Sequence, residues 1–197
     1  MPNEIDHSTI AWGDESVRVI ARPPCYVMAA CIMSAESVSL GEGLERLKPK
    51  DAKKLHWREL DDKKRKEALR IIEATPPKTI IVTAAPLISN KQERARRKCL
   101  EALLVALESY GVEQLVLESR DGYLDRKDIE HLIALRRSKT IKGIDIAHKT
   151  GNDDPNLYVP DQILGAYGDI ISANRKHTWI DNWKSVEQSC VFQQVTP

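Results

Sequence analysis

Asp14, Glu118 and Asp161 are the side chains of this 197-residue sequence whose type and placement suit metal-assisted chemistry. They stand 104 and 43 residues apart, so no local loop unites them and only the tertiary fold would. Three gathered carboxylates repel one another, and a hard divalent cation with oxygen ligands relieves that repulsion. The implied cofactor is Mg2+ or Mn2+. Two such ions about 3.5 to 4 Å apart activate water and stabilise the leaving oxygen in an in-line phosphodiester cleavage. The expectation is a site with no lysine or arginine among the three acids. A plainer reading competes: the macrodipole favours acids in a first helical turn, and Asp14-Glu15-Ser16 suits an exposed bulge.

Convergence requires particular elements around these acids. Ile10 to Val19 and Tyr26 to Met33 are apolar and β-branched, and Ala-Arg-Pro-Pro at 21–24 separates them, which predicts an antiparallel hairpin carrying Asp14. Glu45 to Arg70 is strongly basic and interrupted by Pro49, and predicts one or two solvated helices. Thr79 to Thr83 predicts a buried strand, and Lys91 to Tyr110 a helix burying Leu100, Leu103, Leu104 and Leu107 and ended by Gly111. Leu115 to Leu117 predicts the strand that ends at Glu118. Asp125 would cap the following helix, Ile141 to His148 would form another strand, and Pro160 would open a helix with Asp161 in its first turn. Gly165 and Gly168 share the face of Asp161, which points to a close approach by the sheet or by a substrate backbone.

Alternation in the second half implies parallel pairing with helical crossovers. The predicted fold is α/β: a ribonuclease-H-like mixed five-stranded sheet with helices on both faces. One such domain would occupy residues 1–175 with an inserted helical segment at about 42–74, and residues 176–197 would form a C-terminal extension packed on it through Trp179 and Trp183. In this outline the Asp14 strand is central, the Glu118 strand lies beside it, and the last long helix crosses the pair.

Composition sets outer bounds. Thirty basic residues against 29 acidic give a net charge of +1, so bulk charge identifies no partner. With 42% hydrophobic and 30% charged residues the chain is globular in type, and its apolar runs are too short for a membrane helix. No secretion or import signal is read, so the expected compartment is the cytoplasm. Cys25, Cys31, Cys99 and Cys190 contain no Cys-x-x-Cys pair and are expected to be reduced packing residues. The Gly-x-x-x-x-Gly-Lys, Asp-x-Asp and Gly-x-Ser-x-Gly signatures are absent, which disfavours a P-loop nucleotidase, a phosphoaspartyl hydrolase and a serine hydrolase.

Asp14-Glu15-Ser16, Leu55-His56-Trp57-Arg58-Glu59, Gln92-Glu93-Arg94-Ala95-Arg96, Val116-Leu117-Glu118-Ser119-Arg120 and Val159-Pro160-Asp161-Gln162-Ile163 together resemble the bacterial domain-of-unknown-function 3800 family, over about residues 10 to 175. Members are regarded as ribonuclease-H-like nucleases, so the resemblance implies that Asp14, Glu118 and Asp161 form the acidic centre. Two positions depart from the family pattern: Val17 follows Asp-Glu-Ser where glycine is common, and Tyr158-Val159-Pro160 precedes the helix aspartate. Glu93 stands where ribonucleases H carry another metal-binding carboxylate, or else it offsets Arg94, Arg96, Arg97 and Lys98.

Further candidates are Ser16, and His56 with Glu59, three residues apart. His148, at a strand end, would protonate a leaving group or orient water, or serve the fold alone. Arg94, Arg97, Lys98, Arg120, Arg136 and Arg137 would neutralise the phosphates of a DNA or RNA partner, with Trp57 or Tyr123 stacking on bases; the alternative is a set of solvated charged faces. The function expected is a metal-dependent nuclease. The alternative is a non-catalytic nucleic-acid or protein-binding module on the same fold.

Overall fold

The computed structural model describes residues 9–34, 37, 39–88, 90–172 and 177–197. Residues 1–8, read above for a targeting signal, and 173–176, at the expected domain boundary, lie outside them. Strands β1 (Thr9–Arg18) and β2 (Cys25–Ile32) form the expected antiparallel hairpin, with Asp14 opposite Ala29. They are the middle of one mixed sheet completed by β3 (Lys78–Ala84), β4 (Val112–Glu118), β5 (Asp145–Lys149) and β6 (Cys190–Val195). The strand order is β5-β4-β1-β2-β3-β6; β4 runs parallel to β1 and β5 parallel to β4.

The sheet therefore has six strands, not the five expected. The sixth comes from the segment read as an extension: β6 pairs in parallel with β3 at the sheet edge. Its short Val-Phe-Gln-Gln-Val run gives little periodic signal, and the neighbouring tryptophans drew attention to packing instead.

Side-chain alternation divides the core in two. Trp12, Val27, Ala29, Cys31, Ile81 and Val116 face α1 (Leu40–Glu45), α2 (Asp62–Ala74), α5 (Tyr158–Ser172) and α6 (Ile180–Glu187). Ala11, Met28, Ala30, Ile80, Leu115 and Leu117 face α3 (Gln92–Ser109) and α4 (Gly122–Arg137). β2 is buried on both faces, which explains its unbroken apolar run. Each fully buried Leu of α3 contributes roughly 1.5–3 kcal/mol, and Leu100, Leu103, Leu104 and Leu107 all reach 0% exposure.

Several local expectations move. α2 is not a solvated helix, because it buries Ala68, Leu69 and Ile72 and packs on α6. The cap of α4 is Asp121, which accepts from the amides of Tyr123 and Leu124 at 2.9 and 2.8 Å; Asp125 lies one turn inside. Pro160 is the third residue of α5, since a 3-10 turn at Pro155–Leu157 starts the helix earlier. β5 begins only at Asp145, because 142–144 is a loop. α5 crosses β1 and β2, one strand over from the β1–β4 pair expected. Gly111 does end α3, at φ +75°.

Candidate functional site

Asp14, Glu118 and Asp161 reach one cleft from three elements. Asp14 lies in the middle of β1, Glu118 is the last residue of β4, and Asp161 is in the first turn of α5. Because Gly13 pairs with Leu117, Asp14 and Glu118 are adjacent and share a face, the one α5 covers. The cleft has a volume of about 380 Å³ and is also lined by Ser16, Arg18, His56, Trp57, Arg58, Arg65 and Asp169. A larger groove of about 660 Å³ between α3 and β6 holds Lys98 but none of the acids.

The three acids are held differently. Asp14 has its carboxyl pushed well above the ordinary range, first by burial and then by the charge of Asp161; the Glu15 amide partly offsets this, and Glu118 adds a smaller push. Asp161 Oδ2 accepts from the backbone N–H of Trp57 at 2.9 Å and from Gln162 Nε2 at 2.8 Å. Its Oδ1 lies 3.5 Å from His56 Nδ1. Glu118 is ion-paired with Lys54, which corrects the expectation of a site free of basic residues. Lys54 comes from the basic insert, 64 residues away, and nothing local in the sequence ties it to Glu118.

Trp57 organises the cleft wall and is not an open stacking platform. It is 3% exposed, its indole N–H donates to Asp169 Oδ2 at 2.9 Å, and its ring meets Trp179 edge-on at 5.1 Å. The Arg65 guanidinium stacks 5.1 Å above it. A Cβ at Gly165 would lie 2.1 Å from Trp57 Cγ, and one at Gly168 would lie 2.0 Å from Arg18 Cζ. The close approach read from these glycines is real, but the visitors are Trp57 and Arg18. Arg18 donates to the Leu164 carbonyl at 3.1 Å and pairs with Asp169 at 3.7 Å.

His148 and Glu93 stand apart from the acids. β5 alternation turns His148 to the α3–α4 side, where Nε2 lies 3.0 Å from Asp128 Oδ2 and 3.7 Å from Asp125 Oδ1. Glu93 is exposed and pairs with Arg120 at 2.9 Å. Both belong to a charged network beneath the opposite sheet face. Its centre is Arg96, 1% exposed, bonded to Glu15 and Asp128. Arg120 joins it through Glu15, Glu93 and Asp128, so this residue is structural and not a free phosphate contact. Asp125 accepts from Ser119 Oγ at 2.6 Å. Burial alone would raise its pKa, but that hydroxyl, the Arg120 amide and His148 together hold it below the usual value.

Among the described residues, the trio whose donor atoms all lie within 4.8 Å of one another is Asp125, Asp128 and His148; the expected trio of Asp14, Glu118 and Asp161 shares a cleft but does not reach that spacing. Arg96 and Arg120 already neutralise Asp128, which accounts for that trio without a metal. The basic candidates scatter. Arg94, Arg97 and Lys98 are exposed on α3, and Lys98 is 3.4 Å from Glu101. Arg136 pairs with Asp145 at the start of β5, and Arg137 follows it, at the end of the sheet opposite the cleft. Tyr123 is 60% exposed on α4, and Glu59 is exposed outside the cleft lining. Sequence reading missed Lys54, Arg18 and Asp169; the glycine spacing on α5 pointed to a close approach without identifying Arg18 as the visitor.

No protein-family model matches the chain, and a search of curated proteins returned no match. No helix of the described residues is long and apolar enough to cross a membrane.

Proposed function

We propose that this protein is a divalent-metal-dependent nuclease, hydrolysing phosphodiester bonds of DNA or RNA, with Mg2+ or Mn2+ as its cofactor. The observation that carries this reading is the union of Asp14, Glu118 and Asp161 in one cleft, with the half-buried Asp14 under repulsion from both partners. The donor set is all carboxylate oxygen, which fits a hard cation. Asp161 adds a feature useful in a ligand: two N–H groups fix its Oδ2 and leave Oδ1 available. The bound ion would lower the pKa of a water and neutralise charge developing on a phosphate.

The strand order β3-β2-β1-β4-β5, three antiparallel strands followed by two parallel ones, supports a ribonuclease-H-like fold, with β6 added beside β3. The motif resemblance noted above points the same way. Arg58 is exposed on the cleft rim and is better placed than Arg136 or Arg137 to meet the phosphates of the substrate, whereas Arg65 is held in the wall by Asp169 and Trp57. His56, beside Asp161, would orient the acid or a bound water. The four cysteines are free thiols, three of them buried, and suit a reducing, cytoplasmic setting.

The test is cleavage of single- and double-stranded DNA and RNA with Mg2+ or Mn2+. Asp14→Asn should lower the rate at least about a hundredfold while the circular dichroism spectrum stays unchanged, as expected when an interaction made in the transition state is removed. Undiminished cleavage by that variant would remove the cleft from the mechanism. One observation favours a second reading, a non-catalytic binding module: Lys54 and the Trp57 amide already engage two of the three acids. Salt-dependent nucleic-acid binding without turnover under any metal would select it.

A further inference from the structure

We infer that Lys54 is a resident cation of the acidic cleft, and that the site therefore takes one divalent ion, Mg2+ or Mn2+, where the sequence pointed to two. The inference rests on the metal-site reading above and concerns how the site's charge is balanced. Lys54 Nζ is bonded to Glu118 Oε1, and both side chains are partly buried, at 29% and 26% exposure. The lysine stem is held as well. A Cβ built on the buried Gly151 would lie 3.5 Å from Lys54 Cβ and 3.6 Å from its Cδ, and 3.1 Å from the Tyr158 ring, so the stem runs in contact with this stretch of backbone.

The ammonium is thereby delivered to a recess of about 160 Å³, next to the main cleft, that it shares with Gly13, Asp14, Glu15 and Glu118 and with Arg96 and Arg120, whose charges are already taken up by Glu15 and Asp128. The acids divide accordingly. Of the three acids, Glu118 is the one paired with a lysine; among the described residues Asp14 and Asp161 have no lysine or arginine within 4.0 Å, and both line the main cleft. Asp161 Oδ1 is the oxygen left over once Trp57 and Gln162 have taken Oδ2. Asp14 and Asp161 thus offer oxygens to one ion, while Glu118 is turned to the lysine.

Charge balance agrees. Counting the three acids and Lys54 alone, one divalent ion and one ammonium give neutrality, whereas two divalent ions would leave this group two charges positive; Arg18 and Arg65, which share Asp169, and the exposed Arg58 add further positive charge to the cleft wall. Removing the ammonium would leave one unbalanced carboxylate and free Glu118 for a second ion.

The full-length protein is titrated with Mn2+ alone, and bound ion is counted by electron paramagnetic resonance and calorimetry, with circular dichroism as the check on folding. Wild type and Lys54→Arg should bind one ion, Lys54→Met should bind two, and Asp14→Asn should lose at least about tenfold in affinity. Two ions bound by wild type, or one bound by Lys54→Met at unchanged affinity, would overturn the role of Lys54 while leaving the metal site standing. Absence of any Mn2+ binding by wild type would overturn both.

Discussion

The backbone amide of Trp57 donates to Asp161 Oδ2 at 2.9 Å, across 104 residues of sequence. One bond thus joins the inserted segment to the helix that carries an acid of the cleft. The Trp57 ring lies on Gly165, one turn along that helix, so packing and hydrogen bonding fix the same junction. The aromatic wall and the acid are positioned as a unit, and the insert belongs to the site.

Gly165→Ala tests that junction. A methyl group would meet Trp57 Cγ at 2.1 Å, against a ring braced by Trp179. Overpacking costs about 1–3 kcal/mol, while glycine-to-alanine in a helix returns at most about 1 kcal/mol. Net destabilisation is expected in urea titrations. Gly168→Ala should cost less, because the obstructing group is the far end of the Arg18 side chain. Equal stability of Gly165→Ala and wild type would show that Trp57 is free to move.

Asp14→Asn should stabilise the metal-free protein. The wild-type carboxylate is opposed by burial, by Asp161 and by Glu118, and the amide removes the charge while keeping the shape. A gain of ~1 kcal/mol would raise Tm by roughly 2–4 °C at this chain length. Saturating Mg2+ should then raise the Tm of wild type and leave the variant unmoved. Scanning calorimetry with EDTA and with Mg2+ makes the comparison, and a lower Tm for the variant in EDTA would contradict the repulsion.

Much of this arrangement was legible in the sequence, and the limits have physical causes. Periodicity located β1 to β4 and α3 because long apolar runs and a three-and-four spacing leave few alternatives. The meeting of Asp14, Glu118 and Asp161 followed from the order of elements, which sets the Asp14 and Glu118 strands side by side beneath the last long helix. Lys54, Arg18 and Asp169 were out of reach, because ion pairs between residues 64 and 151 positions apart leave no periodic trace. His148 was assigned to the correct sheet edge but the wrong face, since a shift of one residue in a five-residue strand reverses every side chain. β6 escaped because six residues without charge or turn signals resemble any buried segment.

Arg96→Met should be the most damaging of these substitutions. Arg96 is 2% exposed at the side chain and Asp128 4%, so removing the guanidinium strands a carboxylate in the interior. Breaking one side of a buried pair costs about 3–5 kcal/mol. Adding Asp128→Leu to the first substitution should recover part of that loss, and a double-mutant cycle in urea measures the coupling. Additive losses would mean that Asp128 finds its counter-charge elsewhere, with His148 at 3.0 Å and Arg120 at 3.3 Å the remaining partners.

Glu108 supplies the pH-dependent test. Its carboxylate accepts from the amides of Lys142 at 2.7 Å, Gly143 at 2.7 Å and Ile144 at 3.3 Å, tying the end of α3 to the loop that enters β5. The amide of Gly143 leads in holding its pKa below the usual carboxylate value; burial opposes it, and the amides of Lys142 and Ile144 tip the balance downward. A carboxyl depressed in the folded state stabilises the fold at pH above its unfolded pKa, and this contribution fades as pH falls through the folded value. Glu108→Ala should therefore lower stability at pH 7 and converge with wild type only as the solution is acidified below the ordinary glutamate range. Because the side chain is exposed to solvent, the difference should be small, and the sharper readout is hydrogen exchange. The amides of residues 142–144 should lose protection in the variant at pH 7, with core strand β1 unaffected. Protection that survives the substitution would mean that β5 pairing alone positions the loop, and that the acceptor at 108 is dispensable.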